Sequence, residues 1–247
     1  MKKNLWLAAL IMTASLVSVS FTNATNRDTT AAYSTEVAND NDSTIKEAAA
    51  ESLSTLLYNG LNLKSKGLSQ EAVAYAVNGY QKLEAAGEVS SPYLTIVDFS
   101  QSSRKKRFYI IDMENQTLVK NTFVSHGKNS GVDMATRFSN VVGSEASSLG
   151  FYVTKGTYTG KHGLSLRIDG KERGFNDNAE RRAVVVHGAD YVNAARVNSA
   201  YMGRSQGCPA LPMNEYREVI NTIKNGSVMF IYAPSDNYLQ GSKLIKG

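Results

Sequence analysis

A cysteine in a glycine-and-proline turn is the first residue here whose type and setting could do chemistry. Cys208 stands in YMGRSQGCPALP, Tyr201–Pro212, and is the one cysteine among 247 residues. A thiolate there could attack an electrophilic carbon. Gly207 lets the backbone bend sharply or approach a ligand closely. Pro209 removes a competing backbone donor and stiffens the turn. The N–H groups of Gln206, Gly207 and Cys208 could converge on one point and stabilise an oxyanion, and the N-terminus of a following helix would favour the thiolate. The same neighbours also suit a buried, inert cysteine, and on them alone the two readings stand level.

A thiol nucleophile needs a base. The chain has three histidines, His126, His162 and His187, each followed by glycine. His187 closes the apolar run AVVVHG, so a strand that buries Val184–Val186 and breaks at Gly188 would deliver its imidazole to the sheet rim, where rigid scaffolds commonly hold catalytic groups. His126, at the end of NTFVSHG, and His162, in GTYTGKHG, read as structural. A rival reading makes the three histidines the ligands of a zinc peptidase. None of them has close His-x-x-x-His spacing, and no acidic partner stands near.

Together, VVVHGADYV and GRSQGCPALP resemble the L,D-transpeptidase catalytic domain, the YkuD-type fold. The likeness extends over Tyr93–Pro234. It includes the hairpin RFYIIDMENQTLVKNTFVSHG, the strand SSLGFYVT, and GKHGLSLRIDG of a divergent branch whose motif is Ser-x-Gly-Cys-Pro-Ala. By that resemblance Cys208 is the nucleophile and His187 its general base. Gly188 supplies the carbonyl that orients the histidine, and Gly207 and Cys208 the oxyanion-hole backbone. Ser205 opens the motif. Ser205, Gln206, Arg204 and Arg167 are its expected substrate-binding residues, the two arginines supplying positive charge. Two positions depart: Gln206 replaces the motif's second histidine, and Ala210 replaces an arginine usual after the cysteine. An amide can hydrogen-bond but cannot titrate.

The implied activity is peptidoglycan L,D-transpeptidation of stem tetrapeptides. It proceeds through a thioester, releases D-alanine, and forms a cross-link or ends in hydrolysis. The resemblance implies no metal and no cofactor, and it implies acylation by carbapenems. The two departures leave a third reading, a non-catalytic wall-binding module.

These residues need elements to position them. Strand-like runs with period-two patterning occur at YLTIVDF, RFYIIDM, TLVKNTFV, GFYVTKGTY, LSLRI, RRAVVVHGA and SVMFIYAP, separated by glycine and polar turns. Met213–Lys224 carries Tyr216, Val219, Ile220 and Ile223 on one face, with Pro212 at its entrance and Asn225-Gly226 at its exit, as an amphipathic helix would. Upstream, a capping box at Thr44–Glu47 opens a helix that Asn59-Gly60 stops, and Ser69 opens a second that Gly87 ends. The expected fold is mainly β with α: a β-sandwich or barrel-like catalytic domain, 92–247, preceded by a two-helix segment, 43–91.

The N-terminus, MKKNLWLAALIMTASLVSVSFTNATNRD, has a basic start, a short apolar run and small residues Thr22 and Ala24 at cleavage positions. This is the layout of a signal peptide, 1–24, and the apolar run is shorter than a spanning helix needs. No cysteine near the cleavage site offers a lipid anchor. The polar stretch 25–42 reads as a flexible linker. The expected protein is exported to the periplasm or cell-wall space of a bacterium, without stable membrane insertion after cleavage, and is a monomer. A formal charge of +5 suits an acidic polymer as neighbour. It does not argue for nucleic acid, since the densest basic run, Arg104–Arg107, lacks interleaved aromatics and reads as a solvated turn.

Overall fold

The computed structural model describes residues 37–246. The signal-peptide reading and most of the linker reading lie outside them. The chain divides into Met1–Asp40, of which only the start of a helix is described, and the compact unit Asn41–Gly247.

Helix α1 covers Val37–Gly60. It begins earlier than the expected cap, so Thr44 lies inside a helix and not at its start. The stretch before Thr44 is polar but holds no glycine or proline to stop a helix growing backward from its apolar part. Helix α2, Gln70–Ala85, opens where the sequence indicates: Ser69 Oγ accepts the Ala72 N–H at 3.0 Å. It closes at Gly87, in the left-handed region, with the Glu88 N–H bonded to Leu83 O.

Ten strands follow: β1 (Tyr93–Asp98), β2 (Phe108–Asp112), β3 (Thr117–Thr122), β4 (His126–Gly127), β5 (Gly150–Gly160), β6 (Gly163–Gly170), β7 (Val185–Ala189), β8 (Arg204–Ser205), β9 (Ala210–Pro212) and β10 (Val228–Tyr232). Eight of them form one mixed sheet, ordered β3-β2-β1-β10-β5-β6-β7-β9, and β4 pairs with β8. The sheet is barrel-like and nearly closed. The β1–β10 and β7–β9 pairs are parallel and the rest of the large sheet is antiparallel. Every residue of β2 and β10 is buried, as expected of strands covered on both faces, which read as continuous apolar runs. Helix α2 packs on β1 and β10. Helix α3, Tyr216–Ile223, packs against β1, β6 and β7 through buried Tyr216, Val219, Ile220 and Ile223. A short α4, Asp236–Gly241, completes the described chain.

Three expectations change. The run RRAVVVHGA is a strand only from Val185. Before it the chain turns, with Ala183 at φ 51°, because Ala183 and Val184 are held by carbonyls of the preceding turns and not by a sheet neighbour. Helix α3 starts at Tyr216, since Pro212 ends β9 and its carbonyl caps a turn through the Glu215 N–H. The basic run is only partly solvated: Arg107 is fully buried, donating to the carbonyls of Val124 and Gln101 and to His126 Nδ1.

Candidate active site

Cys208 occupies the tight loop between β8 and β9, and local hydrogen bonds set the shape of that loop. Ser205 Oγ donates to Cys208 O at 2.6 Å and accepts the Gly207 N–H at 3.1 Å. Gly207 has φ 118°, a region side chains rarely adopt, and a Cβ there would lie 2.8 Å from Ala146 O. Only glycine closes this turn without strain. From outside, Ser147 Oγ donates to Gly207 O at 3.3 Å and accepts the Gly127 N–H at 3.0 Å. The β4–β8 pairing, His126 with Arg204 and Gly127 with Ser205, holds the same loop. Ser205 thus shapes the turn, and it also lines the Cys208 cavity. The Gly207 amide, expected in the oxyanion hole, is already committed to it. The Cys208 amide donates to no group among the described residues.

The thiol is partly buried. Its Sγ lies 3.5 Å from the Val185 N–H, which donates to it, and 3.8 Å from Ala183 O. Burial pushes the thiol above its ordinary value of 9.0, while the Val185 N–H, Arg182 and Lys161 pull it down.

The register of β7 against β9 places His187 opposite Ala210, with the His187 N–H on Pro209 O at 3.4 Å. One strand-end pairing therefore carries both the cysteine and the histidine. His187 Nδ1 lies 2.9 Å from Gly188 O. A carbonyl only accepts, so Nδ1 carries the proton and Nε2 keeps its lone pair. Gly188 is required for space, because a Cβ there would meet the Tyr216 ring at 2.7 Å. His162, from the β5–β6 turn, stacks on His187 with ring centroids 4.4 Å apart and planes at 23°. Burial lowers the His187 pKa below 6.5, with Lys161 and His162 adding to the effect and the Gly188 bond opposing it.

Cys208, His187, His162, Gln206 and Arg204 line one cavity of about 840 Å³. Four cations line it, Lys128, Lys161, Arg182 and Arg204, and no carboxylate does. Gln206 is exposed at its edge. Arg204 donates to the carbonyls of Lys128 and Gly131 at 3.1 and 3.2 Å and stacks on the Tyr201 ring. Arg167 is not in this cavity. It lies over the Tyr158 ring at 4.4 Å and lines a neighbouring cavity of about 560 Å³. The cation that sequence reading missed is Arg182. It lines the Cys208 cavity, is tied to Ser139 O and Ser148 Oγ at 2.8 and 3.1 Å, and abuts Gly207. Its signal in the sequence is hidden, because it falls in a run that reads as strand.

The three histidines do not assemble. His126 is fully buried. Its Nδ1 accepts from Arg107 at 2.7 Å and its Nε2 faces Gly131 O at 3.3 Å, which spends both ring nitrogens. Burial and Arg107 lower its pKa to about 4. Among the described residues no three His, Cys, Asp or Glu side chains are grouped to hold a metal ion.

A family model described as L,D-transpeptidase catalytic domain matches residues 64–232. Among solved structures, an L,D-transpeptidase from Mycobacterium smegmatis is similar at 13% identity and a TM-score of 0.36, over 58% of this chain and 60% of that one. L,D-transpeptidase 1 from Mycobacterium tuberculosis is similar at 12% identity and a TM-score of 0.33, over 58% of this chain and 63% of that one. An L,D-transpeptidase (Yku) from Stackebrandtia nassauensis is similar at 13% identity and a TM-score of 0.34, over 76% of this chain and 92% of that one. The chain spans about three fifths of the length of the two mycobacterial proteins. No curated protein matches it.

Proposed function

The chain belongs to the L,D-transpeptidase catalytic domain family, and on that premise we propose that it is a cysteine-dependent peptidoglycan L,D-transpeptidase acting on stem tetrapeptides. The observation that carries this reading is the shared cavity of Cys208 and His187, with the Nδ1 proton of the histidine committed to Gly188 O. That bond leaves Nε2 to take the thiol proton as Cys208 Sγ attacks the carbonyl at the L-centre of diaminopimelate. The oxygen becomes an oxyanion, for which the uncommitted Cys208 N–H is a donor. The tetrahedral adduct collapses, the bond to the terminal D-alanine breaks, and the imidazolium returns its proton to the departing amine. A thioester remains. An amine of a second stem, or water, gives its proton to His187, attacks the thioester and frees the thiol. The cation-lined cavity suits a stem peptide that carries free carboxylates.

Export follows the same reading. Peptidoglycan lies outside the cytoplasm, the first 24 residues have the layout of a signal peptide, and among the described residues no helix is long and apolar enough to cross a membrane.

The test is incubation of the mature protein with disaccharide-tetrapeptide, with and without a chelator, beside Cys208→Ala. Release of D-alanine and a dimer or tripeptide product are expected from the wild type in both conditions and from the variant in neither. A carbapenem should add its mass at Cys208. Turnover that survives Cys208→Ala but not chelation would sink the thiol mechanism. Binding to sacculi with no turnover would favour the wall-binding module.

A further inference from the structure

His162 sits at a hairpin tip and stays largely exposed. Here its ring lies flat on the ring of His187 and lines the cysteine cavity. The arrangement is built by the surrounding chain. Gly160 pairs with Gly163 to close β5 and β6 into a tight turn holding only Lys161 and His162. Gly163 has φ 75°, and a Cβ on it would press on Tyr216 Oη at 3.0 Å. Gly188, beside His187, is packed against the ring of the same tyrosine. Buried Tyr216 therefore sets the depth of both the histidine turn and the end of β7, and the Ser165–His187 pairing fixes their register.

We propose that His162 is a positioning residue for His187: its stacked imidazole holds the plane of the His187 ring so that Nε2 stays directed into the Cys208 cavity. The proposal rests on the catalytic reading of Cys208 and His187. The Gly188 bond fixes one nitrogen of His187 but leaves the ring able to swing about that bond. A second ring against one face removes that freedom. His162 itself exchanges no proton in this account. Any planar aromatic at the position should therefore serve.

The test compares wild type, His162→Ala and His162→Phe, each checked for an unchanged melting temperature. Two rates are read: thioester formation with tetrapeptide in a single turnover, and alkylation of Cys208 by iodoacetamide at neutral pH, followed by intact mass. His162→Ala is expected to slow both about two- to tenfold, the range of an aromatic pair contact, with KM unchanged. His162→Phe is expected to restore most of the loss. The His187 ring resonances should broaden in the alanine variant and sharpen again in the phenylalanine one. Equal rates in all three proteins, or a phenylalanine variant no better than alanine, would overturn the proposal. The two readings fail separately. If wild type does not turn over tetrapeptide but the alkylation rates keep their order, positioning stands and the substrate reading falls. If all three turn over tetrapeptide equally, the substrate reading stands and positioning falls.

Discussion

At Cys208 and His187 the protein environment opposes charge on both partners. Burial raises the thiol, and the pull of Arg182, Lys161 and the Val185 N–H only partly offsets it. Burial also lowers the imidazole, and the nearby Lys161 and His162 act the same way. Both shifts favour the neutral thiol and the neutral imidazole over a resting ion pair. In the proposed mechanism, proton transfer then accompanies attack, with His187 as general base. A prediction about pH follows directly. Alkylation of Cys208 should rise continuously with pH toward and beyond the ordinary thiol value of 9.0, and His187→Ala should slow it at neutral pH. The acid limb of kcat/KM, where His187 becomes protonated, should lie below 6.5 because its pKa is lowered. An alkylation rate that stays flat between about pH 5 and 8 would show a standing thiolate–imidazolium pair, as in thiol enzymes with strongly depressed cysteines, and would overturn this account. Gln206 adds no charge to the pair. The cations in the cavity come from elsewhere in the chain, Arg182 above all.

The element that matters most is the β8–β9 loop, because its shape decides where the thiol and the Cys208 amide point. Two contacts define it: Ser205 Oγ inside the turn and Ser147 Oγ from the 139–148 loop. Gly207→Ala should lower stability by about 1–3 kcal/mol through backbone strain, and the Cβ should also displace Ala146 or the Arg182 guanidinium. Ser205→Ala should cost about 1–3 kcal/mol, since the Gly207 N–H and Cys208 O lose a buried partner. Both variants should slow thioester formation more than they raise KM. Chemical denaturation with single-turnover kinetics checks this, and a Ser205→Ala enzyme with wild-type stability and rate would contradict it. Part of this element was legible beforehand, since Gly207 and Pro209 announce a turn, whereas Ser205 was read as a substrate-binding residue and not as the side chain that closes it. What braces the turn was not legible. Ser147, Gly127 and Arg182 reach it across long sequence separations, through contacts that leave no local period. Arg182 was further concealed because Arg181–Val184 continue an apolar strand pattern until the left-handed Ala183 breaks it. For α2, by contrast, cap, apolar stripe and terminal glycine all lie within one window, and the sequence reading of its ends holds.

Across the whole molecule, periodicity foretold the mainly β fold and its strands, but not the order in which they pair. The parallel β7–β9 contact that joins histidine to cysteine depends on that order. So does the closure of the C-terminal segment onto the sheet, in which one buried carboxyl group joins β5, α4 and Ser242. Glu172, just beyond β6, is buried. It accepts from the Phe151 N–H of β5 at 2.7 Å, from Tyr238 Oη of α4 at 2.8 Å, and from Ser242 Oγ. Burial raises its pKa above 4.5, and the three donors only moderate the rise. The folded chain therefore holds this proton to a higher pH than the unfolded chain does. Where the folded state binds more protons, stability falls as pH rises. The contribution of Glu172 is thus fully present below 4.5 and is lost as pH climbs through the folded value. Glu172→Gln keeps the shape but turns one acceptor into a donor, which should cost about 1 kcal/mol, or about 2–4 °C of melting temperature for a chain of this size. Because glutamine does not titrate, the gap between wild type and variant should be widest in acid and should shrink toward neutral pH. Melting curves of both proteins across that range decide the matter. A gap that widens as pH rises would mean that the carboxylate, and not the carboxylic acid, is the form that holds the C-terminal segment in place.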